Sequence, residues 1–404
     1  MKPPPRLSRA LLALLACASG VSVANVYYAQ PLLDAVAADF AITPAVVGGV
    51  VTATQVGCAL ALLFVVPLGD IVRRRRLMLI QALALIGALM IITLAGNATA
   101  LLVGMLGAGL FGTAMTQGLI AYAANAAGDN ERGRVVGTTQ AGVFIGLLLA
   151  RVVAGGISDI AGWRSVYAFA ATLMLGLAAM LWRALPDLPV HANHMTYRHL
   201  VASMATLIRD ERVLRVRGLI ALLMFAAFNV FWSALVLPLS AAPYRFSHTA
   251  IGAFGLVGVI GALAAGRAGR WADQGHGERT SALALVLLIA AWLPLAYMGA
   301  SMWWLALGIV LLDMGGQAIH VTNQSLIFRT RPDAHSRLVG AYMLFYSVGS
   351  GLGAMSTTMT YARYGWDGVC ALGAGVSGLA LLFWAVTARR APCVDTCVVA
   401  GSVR

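Results

Sequence analysis

Twelve continuous apolar stretches, each of 20 residues or more, leave this chain little choice of fold. They cover about 9–35, 45–68, 77–96, 100–125, 134–157, 165–184, 216–240, 250–272, 280–299, 302–326, 337–360 and 367–388. About 20 residues of helix cross the roughly 30 Å hydrocarbon core of a bilayer. The runs are continuous and do not alternate, so membrane helices are expected rather than barrel strands. Composition agrees: 60% of the 404 residues are hydrophobic and 11% are charged, against about 25% charged in soluble domains.

The net charge of +13 would suggest a nucleic-acid partner in a soluble protein. Here the charge comes in bursts between apolar runs, as in the four arginines Arg73 to Arg76, so nucleic acid is excluded and a lipid bilayer is the expected surrounding. Counted by loop, 24 of the 28 basic residues fall on the side of the first segment; Arg151, Arg164, Arg245 and Arg363 fall on the other. The positive-inside rule then predicts that both termini are cytoplasmic. The first apolar run continues from Leu11 past Tyr28 without a clear processing site, so it is expected to stay as a helix.

The longest connection divides six spans from six. The expected organisation is an N-terminal six-helix bundle over 1–184, a cytoplasmic linker over 185–215, a second six-helix bundle over 216–388 and a cytoplasmic tail over 389–404. In the linker, Tyr197, Leu200, Val201, Met204, Leu207 and Ile208 recur at helical spacing with arginines opposite, which predicts an amphipathic helix on the membrane surface. A shift of 203 residues aligns Asp70 with Asp273, Gly112 with Gly315, Arg134 with Arg337, Gly146 with Gly349, Gly162 with Gly365 and Trp163 with Trp366. One constant offset argues for a duplicated six-helix unit. Parallel repeats with a site between them near the midplane form a transporter architecture.

These features resemble the major facilitator superfamily, whose loop between the second and third helices carries a Gly-x-x-x-Asp-Arg-x-Gly-Arg-Arg-type motif. "GRWADQGHGER" matches its skeleton at Gly269, Asp273, Gly277 and Arg279. The first copy keeps Asp70 with Arg74 and Arg75, but Gly69 directly precedes the aspartate and Arg73 replaces the second glycine. Within the family, "NVYYAQPLL", "ERGRVVG" and "LLDMGGQAIHVTNQS" are similar to twelve-helix bacterial exporters of the drug/proton antiporter type. The resemblance implies an all-α fold of two six-helix pseudo-repeats in a bacterial inner (plasma) membrane, and a monomer. It implies antiport of protons against a small-molecule substrate, with Asp70, Arg74, Arg75, Gly269, Asp273, Gly277 and Arg279 as a cytoplasmic gate. Met105 stands where related antiporters often carry arginine, so proton coupling is assigned to other groups.

Asp313 is the strongest candidate for that role. It lies near the centre of the tenth span, where an aspartate costs roughly 2.5–3.5 kcal/mol on insertion scales and should face a cavity or a partner. Asp313, Gln317, His320 and Gln324 follow at i, i+4, i+7 and i+11, one face of one helix. Asp313 and His320 are the expected proton-coupling groups; a polar seam between helices is the plainer reading of the same face. The resemblance implies that the first, fourth, seventh and tenth helices line the cavity. Asn25, Tyr28 and Gln30, then Thr113, Thr116 and Gln117, then Asn229 and Trp232 are expected contacts, with Gln317, Gln324, Tyr342 and Tyr346. Arg151 in the fifth span needs a partner, water or an anion, and a buried ion pair with Asp34 is expected first.

No cofactor and no metal site is expected: Cys393 and Cys397 lack further ligands at zinc spacing. No HExxH, GxSxG or phosphate-loop pattern occurs, so an enzyme is not expected. Proton-coupled export of a small organic solute or drug is the expectation, and import or facilitation of a sugar, amino acid or organic anion is the alternative. For topology, a cysteine replacing His194 is expected to resist a membrane-impermeant maleimide in intact cells and to react in everted vesicles.

Overall fold

Hydrocarbon offers backbone N–H and C=O groups no partner, so each crossing segment must satisfy its own. The computed structural model describes residues 8–128, 131–186, 197–328, 330 and 335–388, apart from the side chains of 70, 261–266, 273, 335 and 336. It is built of helices, with no strand among the described residues. The tail over 389–404 lies outside them.

The first half holds α1 (Arg9–Tyr27), α2 (Leu33–Asp39), α3 (Gly49–Leu60), α4 (Arg74–Thr93), α5 (Ala98–Ala126), α6 (Arg132–Ala161) and α7 (Trp163–Ala184). α8 (Tyr197–Asp210) leads to the second half: α9 (Arg212–Ala234), α10 (Val236–Ser240), α11 (His248–Trp271), α12 (Gly277–Ala290), α13 (Trp292–Ala296), α14 (Met302–Phe328) and α15 (His335–Ala388). A 3-10 turn at Gln30–Leu32 separates α1 from α2, because Pro31 has no N–H to continue the ladder.

Among the described residues, ten stretches are long and apolar enough to cross a membrane. The last, Arg337–Ala388, is 52 residues, too long for one passage at 1.5 Å per residue. It breaks at Gly365, whose φ of 62° is open to glycine without a Cβ clash. α11 is 24 residues long, and its first part, His248–Ile260, is a shorter apolar stretch. Successive crossings alternate in direction, so the starts of α1, α4, α6 and α9 lie at one end with Arg9, Arg74, Arg132 and Arg212. We call that end the arginine-rich face and its opposite the far face.

Close packing repeats with the sequence offset. Gly146 presses on the backbone of Gly20 and joins α6 to α1; Gly349, 203 positions later, presses on the backbone of Leu222 and joins α15 to α9. Gly162 and Gly365 take φ of 82° and 62°, each a step before a tryptophan, Trp163 and Trp366. In lipid such contacts matter more than in water, because apolar side chains gain little by leaving lipid for one another.

Part of the apolar side of α8 packs on the second half. Leu200, Met204 and Leu207 are buried, and Met204 and Leu207 cluster with Leu214, Ala221, Ile327, Leu338 and Tyr342 of the second half. Tyr197 Oη donates to the Phe64 carbonyl of the first half (2.8 Å).

A Cβ on Gly146 would collide with backbone rather than a movable side chain. Gly146→Val is therefore expected to destabilise the protein by about 1–3 kcal/mol, as overpacking does, read as a lower unfolding midpoint of purified protein in detergent.

Candidate functional site

The two halves enclose a cavity of about 160 Å³. Its lining lies at mid-depth and toward the arginine-rich ends of the helices. From the first half come Tyr27 and Gln30 (the α1 break), Gln117 (α5) and Gln140 (α6); from the second come Asn229 (α9), Gln317 and His320 (α14) and Tyr346 (α15). Phe144, Phe225 and Phe228 supply apolar wall. Amide pairs and ring faces dominate, a surface that hydrogen-bonds and stacks without carrying charge.

Seven of the expected contacts line this cavity, Gln30, Thr113, Thr116, Gln117, Asn229, Gln317 and Tyr346, and so does the expected coupling group His320. Asn25 instead turns back on its own helix, donating to the Val21 carbonyl (2.8 Å). Tyr28 is buried within the first half, edge-on to Tyr167. The neighbouring Tyr27 faces the cavity, its hydroxyl hydrogen-bonded to that of Tyr346 across the halves. One residue on a helix is about 100° of rotation, enough to exchange the two tyrosines' roles. Gln324 and Tyr342 stand behind the cavity wall and hold His320: Gln324 Nε2 is 3.3 Å from its Nε2, and Tyr342 Oη is 3.1 Å from its Nδ1. Gln140 had the same sequence signal as the tenth-span face. With Phe144, Leu147 and Arg151 it forms i, i+4, i+7 and i+11 on α6.

Beyond the cavity, toward the far face, the two halves bury a pair of opposite charges. Arg151 is 4% exposed. Its Nε and Nη2 both donate to Gln30 Oε1 (3.0 and 2.8 Å), and its guanidinium lies 4.0 Å from the centre of the Trp232 ring. Gln30 Nε2 in turn donates to Asn229 Oδ1 of the second half (3.2 Å). Asp313, 6% exposed, sets its carboxylate against α11 at Gly258, where a Cβ would strike Oδ2. Arg151, Asp313, Trp232 and Gln317 bound a space of about 20 Å³, and that space shares Phe144, Leu147, Phe228 and Gln317 with the cavity. The two charges act on each other electrostatically, although no salt bridge within 4 Å joins them among the described residues.

The expected Asp34–Arg151 pair does not form. The turn at Pro31 brings Gln30, not Asp34, onto Arg151, and Asp34 lies 3.0 Å from His248 Nε2 instead. Of the expected gate, the side chains of Asp70 and Asp273 lie outside the described residues. Arg74 reaches the Asn125 amide oxygen (3.1 Å) and Arg75 the Trp182 carbonyl (2.5 Å), both within the first half. Gly269 and Gly277 pack against Val321 and Leu326 of α14, and Arg279 is exposed. No cluster of three metal-ligating side chains occurs among the described residues.

A double-mutant cycle tests the buried pair. Arg151→Gln and Asp313→Asn are each expected to lower the unfolding midpoint, and together by less than their sum. The coupling should fall in the 0.5–3 kcal/mol range of residues in one network.

A sequence profile described as Major Facilitator Superfamily matches residues 14–268 and 217–393. The chain is 39% identical over 383 residues to the protein named "Uncharacterized transporter YgaY" of Escherichia coli, spanning 95% of this chain and 97% of that one. It is 24% identical over 353 residues to a Helicobacter pylori protein named "Probable sugar efflux transporter", spanning 87% and 88%. Among solved structures, a bacterial homolog of the human lysosomal transporter Spinster, in an inward-facing and occupied conformation, superposes with a TM-score of 0.76. That match has 13% identity and covers 94% of this chain and 96% of the other. With a helical fold of two repeated halves around a central cavity, this chain belongs to the major facilitator superfamily and is a multi-pass membrane transporter, not an enzyme.

Proposed function

We propose that the protein exports a small, uncharged organic solute by alternating access, in exchange for protons taken up at Asp313. One observation carries the reading: a carboxyl from α14 and a guanidinium from α6 are buried together beside the cavity, one from each half. Ionised, Asp313 is attracted to Arg151 across the interface. Protonated, it leaves Arg151 to Gln30 and to the Trp232 and Tyr27 rings. A proton therefore changes the energy of the contact between the halves, and a ligand that acts differently on two states shifts their populations.

His320 lies two helical turns from Asp313 on α14 and on the cavity wall, a position suited to relaying protons. The lining of amides and aromatic rings favours neutral solutes, sugars and uncharged drugs among them. The charge asymmetry of the loops supports a cytoplasmic arginine-rich face in an inner membrane. In that orientation the cavity lies on the cytoplasmic side and loads from within. Asp70 and Asp273 would gate that side, each carboxylate against a helix N-terminus of the other half. The efflux named for the Helicobacter pylori relative supports the outward direction. A monomer holds the whole pathway.

Purified protein is screened with sugars and uncharged drugs for the compound that most raises its unfolding midpoint. Everted vesicles holding the protein are expected to accumulate that compound when the lumen is acid. Asp313→Asn should lose at least tenfold of this uptake while keeping the stabilisation by the compound. Uptake that survives Asp313→Asn, or that ignores collapse of the pH gradient, would defeat the proposal.

A further inference from the structure

A second charged cluster closes the far face, well away from the cavity. His248, the first residue of α11, sits between two carboxylates of the other half. Its Nε2 lies 3.0 and 3.2 Å from the Asp34 oxygens on α2, and its Nδ1 lies 3.1 Å from Asp159 Oδ1 on α6. Asp159 also caps α11 from outside. Its Oδ1 accepts from the His248 amide (3.0 Å), and its Oδ2 accepts from the Thr249 amide (2.8 Å) and hydroxyl (2.6 Å). The side chains of His248, Asp34 and Asp159 are 21%, 24% and 25% exposed, so water on the far face can deliver and remove protons. The backbones close in around them, Gly155 on His248 and Gly252 on Arg151.

Each ring nitrogen faces an acceptor, and this decides the charge state the geometry accepts. Neutral imidazole has one N–H and one lone pair; imidazolium has two N–H donors. In either neutral tautomer a lone pair would confront a carboxylate. Asp159 keeps three other donors when the ring proton leaves, so the contact that fails is the one to Asp34. Those two carboxylates are the charged groups that act on the ring. The Arg164–Asp39 pair at the same end is closed within the first half. Histidine is also the side chain that ordinarily changes charge between pH 5 and 8.

We propose that His248 is a proton-binding site separate from Asp313, at which a proton from far-side water locks the two halves together through Asp34 and Asp159. Loss of that proton releases α11 from α2 and lets the far face open. The proposal does not depend on proton-driven export: it concerns which state of the far face is populated, and it holds for any direction of transport.

The test is a distance across the far face. Spin labels are placed at Ile160→Cys and Trp303→Cys, both exposed at far-face ends of their helices, in protein whose own cysteines are serine. Their separation is measured in lipid nanodiscs by electron–electron resonance from pH 5 to pH 8. At pH 5 a single short distance is expected, with a longer population growing as the pH rises. His248→Gln should show the longer population at every pH, and Asp34→Asn should likewise lose the pH response if the glutamine variant fails to fold. Asp313→Asn should still change its distances with pH, whatever its population at any one pH, which separates this site from the coupling carboxyl. Distances that ignore pH in the native protein would overturn the proposal. So would a native response in His248→Gln, or one abolished only by Asp313→Asn.

Discussion

A charge inside a membrane must be answered by protein, because lipid cannot answer it. That constraint organises the interface between the two halves. Arg151 is held by Gln30, Gln30 by Asn229, and the guanidinium by the Trp232 face, so a single buried cation ties the broken first span to the second half. The polar groups form three levels from the arginine-rich face outward: the amide-lined cavity, the Arg151–Asp313 pair, and the His248 cluster. Elsewhere the cores are largely apolar with close glycine contacts, and the buried Arg217 is answered within the second half by Ser281 and Glu278. A seam of this kind is costly to bury and is stable only when each polar group has a partner, which suits an interface that must exchange one set of partners for another.

Much of the fold was legible because lipid enforces it. The apolar runs had to be helices, and the 203-residue offset reappears as packing in the Gly146–Gly20 and Gly349–Leu222 contacts. The site was legible where a polar residue stood alone in an apolar run, as Asp313, Gln317 and Gln30 do. Helical phase near a break was not. The 3-10 turn at Pro31 moved Gln30 onto Arg151 and Asp34 onto His248, and no constant spacing could have anticipated that. Tyr27 and Tyr28 were adjacent and chemically identical, so composition had no means of choosing between them.

The far-face cluster escaped for a different reason. Asp159 and His248 stand near the ends of spans, where charged residues are ordinary and attract no notice, and Asp34 was assigned to Arg151 instead. Only their convergence from α2, α6 and α11 marks them. The contacts among Asp159, His248 and Thr249 also show a carboxylate of one half capping a helix of the other. The family resemblance implies such an arrangement for the opposite face.

α11 brings two of these levels onto a single stiff element. Gly258, against which the Asp313 carboxylate rests, and His248, clasped at the far face, stand ten residues apart on one helix, about 15 Å at the usual rise. With no side chain at 258, the carboxylate bears directly on the α11 backbone. A push at that point is carried along the axis as by a connecting rod, and the imidazole is at its far end. The bearing surface and the rod end belong to one rigid part, so mid-depth and the far face are mechanically in series.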